Sequence, residues 1–295
     1  MRLLVTGASS FVGAHVCLLA RDQGHQVYGV HWNTAMTLPG IRAARIDLSQ
    51  DTAAQELAAV PQPDAVLHLA CKVMGTGDGS KRTAAMDLDR KMMDRVLELG
   101  LPTLYASSTC VHWDGDSGYA KQRREDEARL AASGLPHAIL RPSAPFGGRL
   151  VGHTPGHAES FHTLADLVKK SPVIPMIGRG TALRQPIHVD DFGGAMLALL
   201  DQAELPNAAF DAGGAQALPF KDIVRRIGHH LNTHRLRVPL PLRLLTLVAR
   251  LRPDMDADLL STADQDDLAD PKALEEATGL TMRGFDAAVL FEERR

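Results

Sequence analysis

Short apolar runs alternate with longer amphipathic segments through the first half of the chain. Residues 2–6 predict a buried strand, 11–22 a helix and 26–30 a second strand that follows the turn at Gly24. The further predicted strands are 43–46, 65–69, 103–107 and 137–140, the last stopped by Arg141 and Pro142, and the further predicted helices are 52–59, 84–99 and 119–132. Strands that alternate with helices are typical of a parallel sheet covered on both faces. The pattern therefore predicts an α/β fold with a doubly wound parallel sheet.

The pattern changes after Pro142, where six glycine and proline residues fall between positions 145 and 156. Such a density favours irregular loops over regular structure. The elements predicted beyond it are helices at 161–170 and 191–200, a strand at 209–212, and helices at 219–231 and 240–251. The last third is therefore expected to be mostly helical. The helix at 240–251 fits ordinary core packing better than a membrane surface or a partner.

Composition narrows the class of protein. The 295 residues contain 32 Lys and Arg against 35 Asp and Glu, a net charge of −3, and 45% are hydrophobic. A chain of this length forms a core without disulfides, and the three cysteines, Cys17, Cys71 and Cys110, fit reduced thiols in the cytoplasm. Near-neutral charge and 4% aromatic residues disfavour a nucleic-acid partner. Neither a secretory signal nor a membrane span is predicted.

A glycine-bearing turn follows the first predicted strand. Gly7, Ser10 and Gly13 have the spacing Gly-x-x-Ser-x-x-Gly where the first helix begins. Glycines in this context allow a backbone to approach a pyrophosphate at a helix N-terminus. Gly7 would form the tight turn, Gly13 would permit close packing of helix on strand, and Ser10 would add a hydroxyl. We predict a dinucleotide site here that also includes Phe11 and Val12, and a plain strand-to-helix turn is the less favoured alternative.

The end of the second strand bears on the choice between the two nicotinamide cofactors. An acidic side chain there accepts hydrogen bonds from a ribose 2′-hydroxyl and repels a 2′-phosphate. The segment reads Val30-His31-Trp32-Asn33, with neither a carboxylate nor an arginine. We therefore predict NAD or NADP as the cofactor, with NADP slightly favoured. His31 is assigned to adenosine contact, and a partly exposed strand end is an equal alternative for it.

Five further segments carry a resemblance to a known family. They are residues 47–48, 67–70, 107–108, 141–143 and 185–191. In this order and with the glycine turn, the chain resembles the extended short-chain dehydrogenase/reductase family, in its NAD(P)-dependent epimerase/dehydratase branch. The resemblance implies a Rossmann-type dinucleotide-binding domain over 1–145 and 182–213, and a smaller, mainly helical substrate domain over 146–181 and 214–295. It also implies a homodimer, formed through helices 84–99 and 119–132.

The resemblance assigns the chemistry to a serine and a tyrosine. The family uses a tyrosine as acid or base, a serine or threonine hydroxyl that holds the substrate oxygen, and a lysine four residues after the tyrosine. Tyr119 matches the tyrosine, and Ser108 matches the hydroxyl, with Ser107 and Thr109 as alternatives. The implied cofactor contacts are Asp47 and Leu48 at the adenine, Leu69, Ala70 and Ser107 along the cofactor, Tyr119 and Arg123, and Pro142 near the nicotinamide.

Arg123 stands where the family has lysine. It shares a helical face with Tyr119, whereas Lys121 points elsewhere. Arginine keeps a positive charge that lowers the pKa of a phenol and binds ribose hydroxyls, but its planar fork differs from an ammonium group. We therefore expect a Ser108-Tyr119-Arg123 variant of the catalytic triad, acting at a carbinol or carbonyl carbon. A catalytically impaired NAD(P)-binding sensor or structural subunit is the alternative.

Other polar residues receive smaller roles. Ten residues separate Ser108 from Tyr119, which implies a more open site than in related proteins. Ser108, His112 and Arg184 are assigned to the substrate, a nucleotide-sugar or related small metabolite. The spacing of three histidines, His153, His157 and His162, predicts no metal site, and one of them is more plausible as a substrate contact. Packing accounts for Cys71 and Cys110 better than a redox role.

Overall fold

The structure of the protein is a computed structural model that describes residues 1–72, 79–113, 117–157, 159–241 and 264–294, with side chains from residue 83 onward in the second range. Its strands are β1 (Arg2–Thr6), β2 (Gln26–His31), β3 (Arg42–Arg45), β4 (Ala65–His68), β5 (Thr103–Ala106), β6 (His137–Pro142), β7 (Pro145–Phe146), β8 (Arg149–Leu150), β9 (Val173–Ile177), β10 (Leu183–Arg184), β11 (Ile187–His188), β12 (Ala208–Ala212), β13 (Leu218–Pro219), β14 (Leu236–Leu240) and β15 (Glu293–Arg294). Its α-helices are α1 (Phe11–Asp22), α2 (Ala53–Ala58), α3 (Gly79–Leu97), α4 (Gly118–Ala132), α5 (Ser160–Lys170), α6 (Val189–Leu200), α7 (Phe220–His230) and α8 (Lys272–Thr278). No helix in the described ranges combines the length and the apolar character needed to cross a membrane.

Seven of the described strands form one sheet, in the order β12, β6, β5, β4, β1, β2, β3. Every neighbouring pair in it is parallel, which confirms the predicted doubly wound α/β fold. The chain runs outward from β1 to β3 and then returns to β4 on the other side of β1. Ligands of open parallel sheets bind outside the carboxyl ends of the strands at such a reversal. The fold therefore places a ligand crevice beyond the ends of β1 and β4.

The central strand shows why these residues form a sheet covered on both faces. Leu3, Leu4 and Val5 are completely buried. Leu3 and Val5 pack in the cluster that contains α1 and α6, whereas Leu4 packs in the opposite cluster with α2 and α3. Successive side chains of a strand point to opposite faces, so a strand buried on both sides needs a continuous apolar run. The same rule explains why β4 is buried along its whole length.

A third apolar cluster lies apart from the two that flank the sheet. It centres on Phe146, Phe161 and Phe285, whose rings contact one another at centroid distances of 5.0–6.2 Å. Its other buried members come from α5, β9, β13, α7 and residues 287–290. All of these residues fall inside the two ranges predicted for the substrate domain. The domain boundaries themselves stay a prediction.

Three local predictions differ from the described structure. β6 does not stop before Arg141, because Arg141 and Pro142 continue the ladder against Asp211 and Ala212 of β12. The segment rich in glycine and proline contains the two short strands β7 and β8. The described part of the last third is not mostly helical, since β13, β14 and β15 lie in it and β14 pairs in parallel with β9. These ladders are set by distant partners, which local periodicity does not reveal. The predicted helix at 240–251 lies outside the described residues from position 242 onward.

Candidate active site

The glycine turn after β1 requires glycine at two positions. Gly7 has a φ of +65°, and a Cβ placed on it would stand 2.7 Å from backbone atoms of Leu69 and Ala70. A Cβ on Gly13 would collide with the carbonyl oxygen of Gly7. Since these obstacles are backbone atoms, no side-chain movement relieves them. The turn is therefore a backbone cradle of the kind that holds a pyrophosphate at the start of a helix in dinucleotide sites.

Ser10 begins α1 as its N-cap residue. Its Oγ accepts a hydrogen bond from the Gly13 N–H at 3.0 Å. The hydroxyl proton is not used in that contact, so Ser10 can cap the helix and still donate to a phosphate oxygen. Phe11 is buried, with its ring edge-on to the imidazoles of His15 and His162, and Val12 is half-buried.

Thr6 is a buried residue of this region that sequence reasoning missed. Its Oγ1 accepts hydrogen bonds from the backbone N–H groups of Leu69 and Ala70, each at 3.2 Å, and lies 2.7 Å from His68 Nδ1. Burial and the charge of Arg123 lower the pKa of His68 to about 3, so this imidazole is neutral at pH 7. Thr6 can then donate its proton to His68 while it fixes the segment that follows β4. The only sequence signal was a hydroxyl directly before the turn.

The predicted catalytic helix α4 places Arg123 in the interior of the protein. Arg123 is 1% exposed, and its guanidinium donates hydrogen bonds to Tyr105 Oη at 2.6 Å and to Asp89 Oδ2 at 3.2 Å. Its central carbon lies 5.0 Å from the centroid of the Tyr119 ring. The guanidinium therefore stacks against the phenol ring and forms an ion pair with α3. The Nε of Arg123 is buried without a hydrogen-bond partner among the described residues, and the predicted ribose contact of Arg123 stays a prediction.

Tyr119 lies close to the carboxyl ends of β4 and β5. Its phenol is within electrostatic reach of the thiols of Cys71 and Cys110, which follow those strands, and of the Asp89 carboxylate. Burial raises the pKa of Tyr119 above its ordinary value, and the charge of Arg123 opposes that rise. The predicted influence of the guanidinium thus has the expected sign but is outweighed by burial.

The three candidate hydroxyls after β5 have different partners. Ser107 is buried and donates to Glu127 Oε1 at 2.5 Å, and Thr109 Oγ1 lies 2.6 Å from Asp267 Oδ1. Ser108 is half-buried, and its Oγ accepts from the Cys110 N–H at 3.2 Å, which begins the 3₁₀ helix Thr109–His112. Among the described contacts, Ser108 is the one of the three whose hydroxyl proton has no carboxylate partner. The geometry therefore favours Ser108 for holding a substrate oxygen.

The two other predicted substrate residues are held by neighbouring groups. His112 Nε2 lies 2.9 and 3.0 Å from the carboxylate oxygens of Asp211, at the end of β12. Arg184 donates to the backbone carbonyls of Leu183 and Gln265. Burial lowers the pKa of Arg184, and the nearby aspartates at 264, 266 and 267 oppose that shift. Both side chains therefore have fixed orientations.

The remaining predicted cofactor contacts lie along the same edge of the sheet. Leu48 is buried against Ala53 and Leu57 of α2, and the carboxylate of Asp47 accepts hydrogen bonds from Ser49. Leu69 and Ala70 are the first and second residues after β4, and Ser107 is the first residue after β5. Pro142 is the last residue of β6.

The histidines of the loop-rich segment bind backbone carbonyls or are exposed, and they do not form a metal site in the described structure. His153 Nε2 bonds to the Ser9 carbonyl at 3.0 Å and His162 Nε2 to the Gly147 carbonyl at 2.9 Å, while His157 is exposed. Across the described ranges, no group of three or more His, Cys, Asp or Glu side chains is arranged to hold a metal ion. Cys110 is buried, and burial raises the pKa of its thiol to about 11.

Two acidic residues of this region, Asp89 and Glu159, were not predicted from the sequence. Asp89 occupies the buried stripe of α3 formed with Ala85, Met93 and Val96, where helical spacing predicts an apolar residue. A carboxylate in such a stripe indicates a buried cationic partner. Glu159, which directly precedes α5, acts electrostatically on the Cys71 thiol, and burial raises the pKa of Glu159 to about 7.

A doubly wound sheet with a glycine turn at its point of reversal is the architecture of dinucleotide-binding folds. The sequence profile of the NAD dependent epimerase/dehydratase family matches residues 3–131 and 118–213. The chain therefore belongs to the NAD-dependent epimerase/dehydratase family, as the resemblance predicted.

Relatives and solved structures are similar over most of the chain. A 2'-dehydrokanamycin reductase of Streptomyces kanamyceticus is 26% identical over 244 residues, which span 78% of this chain and 67% of the reductase. UDP-glucose 4-epimerase from Bifidobacterium longum, in complex with NAD+ and UDP, superimposes with a TM-score of 0.78 at 16% identity over 98% of this chain and 96% of the epimerase. UDP-glucuronic acid 4-epimerase from Bacillus cereus, in complex with UDP-glucuronic acid and NAD, gives 0.75 at 19% identity over 98% and 96%. At these identities the two structures show a shared fold.

Proposed function

We propose that this protein is an NAD(P)-dependent oxidoreductase or epimerase acting at a carbinol or carbonyl carbon of a nucleotide-sugar or a related small metabolite. One observation carries the proposal: three consecutive residues connect the glycine turn with the phenol. Leu69 and Ala70 lie against Gly7, and Cys71 is within electrostatic reach of Tyr119. A cofactor whose pyrophosphate lies on Gly7 would run along these residues toward Tyr119.

The nicotinamide supplies or accepts a hydride when the cofactor is bound. Tyr119 exchanges the proton of the substrate oxygen, and the Ser108 hydroxyl donates a hydrogen bond to that oxygen as its negative charge develops. Arg123 acts on Tyr119 through its charge and the contact with the ring, while two of its N–H groups are bound to Tyr105 and Asp89. The chain's own residues thereby hold the phenol in place and control the proton.

The cofactor preference proposed here is NADP(H) over NAD(H), since no carboxylate follows β2. Reduction of a sugar ketone is favoured by the name of the kanamycin-related reductase, and epimerisation of a UDP-sugar by those of the structural neighbours. The homodimer through α3 and α4 and the assignment of His112 and Arg184 to the substrate belong to the same proposal.

The test is turnover by the purified protein with NADPH or NADH and a panel of UDP-sugars, keto-sugars and oxidised aminoglycosides. Tyr119→Phe should reduce kcat by about 100-fold or more on any substrate found, because the proton donor is lost. Tyr28→Phe makes the same chemical change at a buried tyrosine of β2 and should retain full activity. Equal activity of Tyr119→Phe and wild type would refute the catalytic assignment.

The second candidate is a dinucleotide-binding sensor or structural subunit without turnover. The commitment of the Arg123 guanidinium to Asp89 and Tyr105 favours it, because the phenol then lacks a hydrogen-bonded cation. Tight binding of NADPH or NADH without turnover on the whole panel, unchanged in Arg123→Lys, would support this candidate over the enzyme.

A further inference from the structure

The end of β2 carries no arginine of its own, but the neighbouring strand β3 places Arg45 beside it. The parallel register pairs His31 with Arg45, and the Ile46 N–H bonds to the His31 carbonyl at 2.9 Å. The guanidinium carbon of Arg45 lies 4.5 Å from the centroid of the Trp32 ring, and its Nε is 3.4 Å from the Trp32 carbonyl. Fourteen positions separate the two strand-end residues in sequence, so only sheet pairing brings them together.

The charge of Arg45 is not neutralised by the described surroundings. In the ranges that the structure covers, Arg45 has no ion pair with a carboxylate, and the closest acid in sequence, Asp47, accepts from the backbone and hydroxyl of Ser49 and from Gln50 instead. β3 is the last strand of the sheet, so the guanidinium is exposed. Stacking on an indole uses the face of a guanidinium and leaves its N–H edges available.

The glycine turn is directly adjacent to this edge. The Ala8 N–H donates to the Val30 carbonyl at 3.1 Å, one residue before His31. In a dinucleotide site the side chain at the end of this strand faces the adenosine ribose. His31 Nδ1 is buried there and has no hydrogen-bond partner in the described structure. The Arg45 cation therefore lies beside the strand end at which the ribose 2′ oxygen is expected.

We propose that Arg45, held flat against Trp32, binds the 2′-phosphate of NADP(H), with His31 as a second polar contact. This inference rests on the proposed function, since it needs a dinucleotide on the glycine turn. An arginine with free N–H edges can bind two phosphate oxygens at once, whereas the ribose hydroxyl of NAD(H) offers it only a neutral oxygen. The specificity for a phosphorylated ribose thus comes from β3, and the end of β2 supplies the aromatic surface.

The test is isothermal titration of the full-length protein with NADPH, NADH, 2′,5′-ADP and 5′-ADP. NADPH should bind at least about tenfold more tightly than NADH, and 2′,5′-ADP more tightly than 5′-ADP. Arg45→Ala should weaken NADPH and 2′,5′-ADP by about 10- to 100-fold and leave NADH unchanged. Trp32→Leu, which keeps Arg45 but removes its platform, should lose part of the same preference.

Arg42→Ala is the matched control. Arg42 is an exposed arginine of the same strand and also lies over an aromatic ring, that of Tyr28 at 5.5 Å, but it pairs three residues farther from the ribose end. It should leave the ratio of NADPH to NADH affinity unchanged. Equal wild-type affinities for the two cofactors, or equal effects of Arg42→Ala and Arg45→Ala, would overturn the inference and leave the proposed function intact. If neither dinucleotide binds, the proposed function itself fails.

Discussion

Two regions of the candidate site, the glycine turn at Gly7 and the side chains around Tyr119, are built in opposite ways. Residues 69–71 connect them. At the turn, Gly7 faces the backbone of Leu69 and Ala70, so the site is a matter of main-chain geometry. Around Tyr119 the site is made of side chains, among them the buried ion pair of Arg123 with Asp89. A backbone cradle has no compensating substitution, whereas a side-chain cluster can be rearranged when two positions change together.

The first way to break this comparison is Gly7→Ala. A Cβ at this position would lie 2.7 Å from backbone atoms, and the φ of +65° is unfavourable for alanine, so the turn must move. We expect affinity for NADPH to fall by about 100-fold or more, as the closest-approach site of the pyrophosphate is lost. Fluorescence titration with NADPH measures the change.

Gly24→Ala is its control, because Gly24 also has a positive φ, +87°, but an added Cβ meets nothing within 4 Å. It should lower the free energy of unfolding by about 1 kcal/mol and leave NADPH binding unaltered. Wild-type affinity in Gly7→Ala would show that the cradle is not where the pyrophosphate binds.

The second prediction concerns the ion pair between Arg123 and Asp89, both about 2% exposed at the side chain. Asp89→Ala leaves a buried, unpaired guanidinium and should lower the free energy of unfolding by about 3–5 kcal/mol. The double variant Asp89→Leu/Arg123→Met removes both charges and should recover most of that loss. Urea unfolding measures each value.

Asp87 offers a matched comparison on the same helix, since it forms an exposed pair with Arg90. Asp87→Ala should cost less than about 1 kcal/mol. A similar small cost for Asp89→Ala, or a double variant less stable than the single one, would mean that the two buried charges are not coupled.

The third prediction concerns a pH dependence that His68 contributes. Burial and the Arg123 charge lower its pKa from the ordinary 6.5 to about 3. Below pH 6.5 the His68 side chain binds a proton in the unfolded chain but not in the folded one. The contribution of His68 to the free energy of unfolding is therefore complete above pH 6.5 and is lost progressively as the pH falls toward 3. His68→Asn should flatten the change in unfolding free energy between these values. Parallel curves for variant and wild type would contradict the assignment.

The fold was largely predictable, and so was the position of the turn. β1, α1 and β2 were expected within about one residue of their bounds, because a strand buried on both faces needs an unbroken apolar run and Gly7 and Gly13 admit few other structures. Asp89 could have been found as a carboxylate on an apolar stripe. β14 could not, since its ladder with β9 joins segments more than fifty residues apart.

The sequence by itself determined the alternation of strands and helices and the glycine turn, because each is encoded by local periodicity or by a residue's own chemistry. The roles assigned to Tyr119 and Arg123 rest on the family resemblance and stay predictions. Only the tertiary structure decided what those residues touch. Among the described residues, it turned Arg123 toward Asp89, bonded Ser107 to Glu127, left Ser108 without a carboxylate partner and laid Arg45 over Trp32. Such contacts depend on which strands pair and in which register, and pairing is a property of the whole sheet rather than of any stretch of chain.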